Sequence, residues 1–162
     1  MSHAATLIDE GRRPNSSPTM LEPYVAGMAT ILAHITVKPG TEAEWEAIAA
    51  ELYAKSHELE DNILRYEYWR GSEERTYYTL LSFPDHQAFI VHQTSDHHET
   101  ASPNIGRVVE KIRLEWVDPI SDSSPLPPTN AQPAPAGADE LTAKYTESYA
   151  AVVADWWHAL RS

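Results

Sequence analysis

The chain has 162 residues, of which 42% are hydrophobic and 22% charged, so it accommodates one core. No apolar run approaches the roughly 18 residues of a membrane-spanning helix, which argues against a membrane protein. The absence of cysteine excludes disulfides, thiolate metal sites and a cysteine nucleophile, and a formal charge of -12 with scattered Lys and Arg argues against nucleic acid or anionic lipid as partner.

Residues 1 to 28 mix Gly, Arg, Pro, Asn and Ser without a sustained period and read as an irregular arm. The start, MSHAATLIDEGRR, lacks the basic end and long apolar stretch of a secretory signal, so a cytoplasmic location is expected. Ile31 to Val37 is β-branched and closed by Pro39-Gly40, the signature of a strand. Thr41 then opens a helix, with Glu44 placed to complete a capping box. Trp45, Ile48, Ala49, Leu52 and Leu59 recur at helical spacing over about 18 residues, and Glu60-Asp61-Asn62 ends the helix, with Asn62 suited to a left-handed cap.

A second strand is expected from Ile63 to Arg70 and a third from Thr76 to Phe83, paired antiparallel across Gly71-Ser72-Glu73-Glu74. Alternation puts Tyr66 and Tyr68 on one face and Trp69 on the other. Pro84-Asp85 starts a second helical region holding Ala88, Phe89 and His92. Asp96 with Glu99 offers another capping signature, and Pro103 is expected to interrupt. From Val108 to Val117, Ile112, Leu114 and Trp116 alternate with Lys111, Arg113 and Glu115, as in a half-buried strand. The order strand, helix, strand, strand, helix, strand is that of an α+β, ferredoxin-like split βαβ fold: a four-stranded antiparallel sheet, both helices on one face, the other face needing cover. A core domain over 29–120 follows.

Residues 121–137 hold five of the twelve prolines and read as an extended linker. Over 138–162, Leu141, Tyr145, Tyr149, Val152, Trp156 and Leu160 keep helical spacing, with Asp139 as cap. This C-terminal amphipathic helix should dock on its own domain or, preferably, on a partner subunit.

Three patterns in this order carry a family resemblance. They are Val37-Lys38-Pro39-Gly40-Thr41 after the first strand, and Glu60 to Trp69, which the family writes EPGxxxYExY and which here has Asp61-Asn62 for Pro-Gly. The third is Phe83 to His98, with Ala88-Phe89, His92, Ser95 and His97-His98. From Ile31 to about Val117 the chain resembles the antibiotic biosynthesis monooxygenase domain of the dimeric α+β barrel superfamily. The resemblance implies a homodimer whose sheets close into a barrel, and an oxygenase that acts on a phenol, quinol or polycyclic aromatic with dioxygen and no cofactor. Relatives that cleave haem use an axial histidine where this chain has Ser102, so haem is disfavoured. Many members have glutamate at the Leu81 position, so their mechanism does not transfer whole.

Oxygenation without metal or flavin requires the substrate to donate an electron to dioxygen, which a phenol does more readily once deprotonated. His92 and His98 are the candidate bases, because an imidazole titrates near neutrality and the two match helix positions lining the family pocket. Arg113 is a candidate for stabilising an oxyanion, and Tyr66, Tyr68, Trp69, His34 and Phe89 are candidate substrate contacts. Each has a plainer alternative as a packing, surface or interface residue. Two other functions stay open: a non-catalytic binding or dimerisation module, and a metal site from His92, His97 and His98 completed by His34, His86 or Asp96.

Overall fold

The computed structural model describes residues 28–161; the expected N-terminal arm lies outside them except for Met28. Strands β1 (Ala29–Val37), β2 (Arg65–Arg70), β3 (Thr76–Phe83) and β4 (Val109–Trp116) form one antiparallel sheet in the order β2-β3-β1-β4. Helices α1 (Glu42–Leu59), α2 (His86–Gln93) and α3 (Asp96–Val108) connect them, and α4 (Glu140–Ser148) and α5 (Asp155–His158) follow. This is the α+β ferredoxin-like fold with an added C-terminal helical segment.

Strand alternation sorts the two sheet faces. Ile31, Ala33 and Ile35 stand in register with Leu81, Thr79 and Tyr77 on β3 and with Trp116, Leu114 and Ile112 on β4, and Val37, past a register shift, pairs with Val109. Most of this face packs with Trp45, Ala49 and Leu52 of α1 and Phe89 and Ile90 of α2 into one core. The opposite face carries Leu32, His34, Tyr78, Leu80, Trp69 and Arg113, and no helix of the described chain covers it.

Several local expectations give way to tertiary contacts. Thr41 does precede α1, but its hydroxyl donates to the Lys38 and Val108 carbonyls, and Glu44 pairs with Arg107, so no capping box forms. Glu60, not a left-handed Asn62, ends the helix in an extended conformation (φ -120°, ψ 120°). The left-handed residue of the β2–β3 hairpin is Arg75, at φ 64°. The helical break falls at Thr94-Ser95, while Pro103 sits inside α3 on an exposed position where the forfeited backbone bond faces water.

The Pro-rich stretch is extended yet seated on the domain. Thr129 is fully buried, donates to the Val117 carbonyl and pairs through its backbone with Met28, and Arg161 clamps Asp118 at 2.6 Å. The C-terminal stripe is not one helix. It stops at Ser148 because the Tyr149 carbonyl is taken by His86 Nε2 at 2.9 Å, and α4 docks on α2 of its own chain. No helix of the described residues is long and apolar enough to cross a membrane.

Candidate active site

Between the helix-bearing face of the sheet and α1–α3 lies a cavity of about 560 Å³, within the range of small-molecule sites. Its apolar walls include Trp45, Leu52, Leu81, Ile105, Leu114 and Trp116. Tyr66, Tyr68, Thr79, Gln93 and His98 supply the polar groups. A larger groove of about 890 Å³ runs along α1 and the edge strand β2 past Trp69. It is open to solvent, and its one cation, Arg70, is already held by Glu46 at 2.6 Å. The less open cavity beneath the helices is the better place for chemistry, because its mostly apolar walls lower the dielectric and strengthen each polar contact.

Behind the His98 wall lies a buried charged cluster. Glu60, where α1 ends, receives a hydrogen bond from His92 Nδ1, which lies 3.0 Å from both carboxylate oxygens. His97 Nε2 is 2.8 Å from Glu60 Oε1 and 3.0 Å from Ser56 Oγ. Burial pushes the Glu60 carboxyl up, but hydrogen bonds from His92 and Ser56, with the positive charge that His92 and His97 carry when protonated, outweigh it and hold the group below the usual carboxylate range. In the neutral form of His92 that gives Nδ1–H to the carboxylate, Nε2 is unprotonated. That atom is fully buried and has no partner.

The His92 ring stands 5.0 Å from His98 and 4.9 Å from Tyr66, both on the cavity wall. Burial, with the charges of His92 and His97, pushes His98 down to about 4, so it is neutral at neutral pH. Burial likewise pushes the Tyr66 phenol up to about 12 and Tyr68 well above the ordinary phenol range, so both stay protonated; their oxygens are 2.7 Å apart. Thr79 Oγ1, also on the wall, is buried without a partner. A buried polar atom left unpaired costs about 1–3 kcal/mol, and such atoms mark where a ligand group fits.

The structure therefore brings His92, His98, Tyr66 and Tyr68 together and places Phe89 just behind them. Phe89 is fully buried, with its ring 5.6 Å from Phe83 and 5.4 Å from Trp116. It does not bring His34, Arg113 and Trp69 to this cavity, since they lie across the sheet. There His34 Nε2 and Arg113 reach the same Glu115 carboxylate, at 2.9 and 3.0 Å. Glu60 is the residue that sequence reasoning missed. Its place in the EPG-like motif was the available signal, but it reads there as a helix terminator.

Among the described residues, one group has the geometry of a metal site. Glu60, His92 and His97 each offer one atom within 4.8 Å of the others; His98, His34, His86 and Asp96 do not join it. A metal on His92 Nδ1 would move that ring's proton to Nε2, which has no acceptor, whereas metal-bound histidines ordinarily donate the other N–H to one. The carboxylate's existing bonds to both imidazoles account for the cluster without an ion.

No curated protein matches the chain. The family model for antibiotic biosynthesis monooxygenase matches residues 28–103. A Caulobacter crescentus structure assigned to the antibiotic biosynthesis monooxygenases is 26% identical with a TM-score of 0.56; the match covers 59% of this chain and 92% of that one. A Pseudomonas aeruginosa structure is 22% identical, TM-score 0.52, over 56% and 92% of the two chains. One from Mycobacterium tuberculosis is 13% identical, TM-score 0.55, over 60% and 100%; these last two support the fold alone. Residues 28–103 therefore match the antibiotic biosynthesis monooxygenase family model, and the fold is that of the solved structures similar to it.

Proposed function

We propose that the domain is a cofactor-independent oxygenase that oxidises a phenolic, quinol or polycyclic aromatic hydroxy compound in the cavity beneath the helices. The observation that carries this reading is the His92 imidazole, fixed at Nδ1 by Glu60 and bearing a buried, unpartnered Nε2 behind the cavity wall. A substrate hydroxyl seated between His98 and Tyr66 donates to Nε2, and the imidazolium that forms is stabilised by the adjacent carboxylate. The resulting anion gives up an electron to dioxygen. In net terms a ring CH₂ plus dioxygen becomes a carbonyl and water, one oxygen atom staying on the substrate. Neutral His98 and the one hydroxyl of the Tyr66–Tyr68 pair that is not donated to the other supply hydrogen bonds to the developing oxyanion.

We further propose a cytoplasmic homodimer, with the open sheet face packed on a second copy. Trp69, 57% exposed, and the half-buried Leu32, Tyr78 and Leu80 support this, since an apolar face of this kind is ordinarily covered. On this reading His34 and Arg113 belong to the interface.

Oxygen uptake with a panel of naphthols and anthrones, comparing wild type with His92→Ala, tests the reaction. The expected result is uptake by wild type and a loss of about 10²-fold or more in the variant, the range for a general base. Uptake that survives the substitution removes His92 from the mechanism. No uptake by wild type on any member, with metal-free protein confirmed by elemental analysis, favours a non-catalytic binding module on the same fold.

A further inference from the structure

Part of the cavity wall is not supplied by the matched domain. Ser148, Tyr149, Ala150 and Val152, at and beyond the end of α4, line the cavity together with Trp116 and His98. The family model ends at residue 103, and the Caulobacter structure is matched over 92% of its length by only 59% of this chain. Val152 is 62% exposed and Ala150 is exposed, so this stretch borders the mouth, while Tyr149 is half-buried.

The stretch is fastened on both sides. Asp139 caps α4 through the Thr142 N–H at 2.7 Å, and Tyr145 donates its hydroxyl to Glu99 of α3. His86, only 1% exposed, donates from Nε2 to the Tyr149 carbonyl while its Nδ1 meets Gln132 of the Pro-rich stretch. The Tyr149 ring is flanked edge-on by Phe89 at 5.9 Å and Tyr145 at 5.4 Å. A ring held at backbone and on both flanks is a fixed wall, and a fixed aromatic wall sets the length of a rigid planar ligand.

We propose that Tyr149 is a specificity-determining residue, limiting the cavity to smaller fused-ring alcohols. This rests on the cavity beneath the helices being the aromatic site. Trp45 and Trp116 line the cavity, so quenching of tryptophan fluorescence reads occupancy without turnover. The probes are 2-naphthol and the three-ring 2-anthrol, titrated in oxygen-free buffer into the full chain, its Tyr149→Ala variant and an Ala150→Trp variant that adds bulk at the mouth.

Tyr149→Ala is expected to tighten 2-anthrol binding relative to 2-naphthol by about tenfold, and Ala150→Trp to weaken 2-anthrol by a similar factor, the scale of steric discrimination in apolar pockets. If wild type binds both probes and neither variant changes their ratio, the assignment of Tyr149 is overturned while the cavity stands. If wild type binds neither probe, the aromatic cavity itself is refuted. Should Tyr149→Ala lose its native circular dichroism, Ala150→Trp, which leaves Tyr149 and its anchors intact, carries the test.

Discussion

The two faces of one sheet hold two clusters of histidine and carboxylate with opposite characters. On the helix side, Glu60 joins His92 and His97, whose side chains are 0% and 7% exposed. On the open side, Glu115 joins His34 and Arg113, about a third and half exposed. Residue types and distances are alike, near 3 Å in both, but desolvation acts on only one. In water an ion pair is screened and contributes little; beneath the helices it fixes a tautomer, leaves one ring nitrogen without a partner and shifts the neighbouring His98. Burial, rather than composition, separates a chemically poised cluster from a surface one.

The largest effect should come from removing a partner of the buried cluster. His92→Ala leaves the Glu60 carboxylate with less compensation and is expected to destabilise the domain by about 3 kcal/mol in urea unfolding, against no measurable shift for His34→Ala. Equal shifts would erase the distinction between the faces.

Comparable in size is a pH effect from His98. Its folded pKa, about 4, lies below its ordinary 6.5, so between these values the unfolded chain binds the extra proton and stability rises with pH. The gain, up to about 3 kcal/mol, is complete above pH 6.5 and lost as pH falls through 4. Chemical unfolding from pH 4 to 7 should show this rise in wild type and a much shallower one in His98→Gln. Glu60, also held low, adds a further loss below the carboxylate range, which His98→Gln should retain.

Smaller effects sharpen the same contrast at the cavity wall. Tyr66→Phe removes the 2.7 Å bond to Tyr68 and is expected to cost about 1 kcal/mol. Thr79→Val removes a buried hydroxyl that bonds nothing and should leave the urea midpoint unchanged or raise it slightly. Arg113→Ala, on the open face, should leave the unfolding midpoint of a dilute sample unmoved.

Most of the architecture was legible because it rests on periodicity. The period-two alternation of Tyr66, Tyr68 and Trp69 assigned their faces, and the same rule applied to Ile112 through Trp116 located the inner side of β4. That reasoning did not extend to which face bears the cavity, so Arg113, His34 and Trp69 were grouped with residues across the sheet. Glu60 escaped because a side chain's direction at a helix end is set by what packs there, here two imidazoles from α2 and α3. The unbroken C-terminal helix, the capping box at Thr41 and the break at Pro103 were local inferences overruled by distant partners: His86 for Tyr149, Val108 for Thr41, and solvent for the unmade bond at Pro103.

The central claim is that an aromatic alcohol enters the chamber beneath the helices and engages its histidines. Titrating oxygen-free 2-naphthol into protein labelled with nitrogen-15 in its histidine rings tests this directly. Movement of the His98 and His92 ring resonances, with those of His34 unmoved, is the predicted result. Movement confined to His34 would place the ligand on the open face and contradict the account.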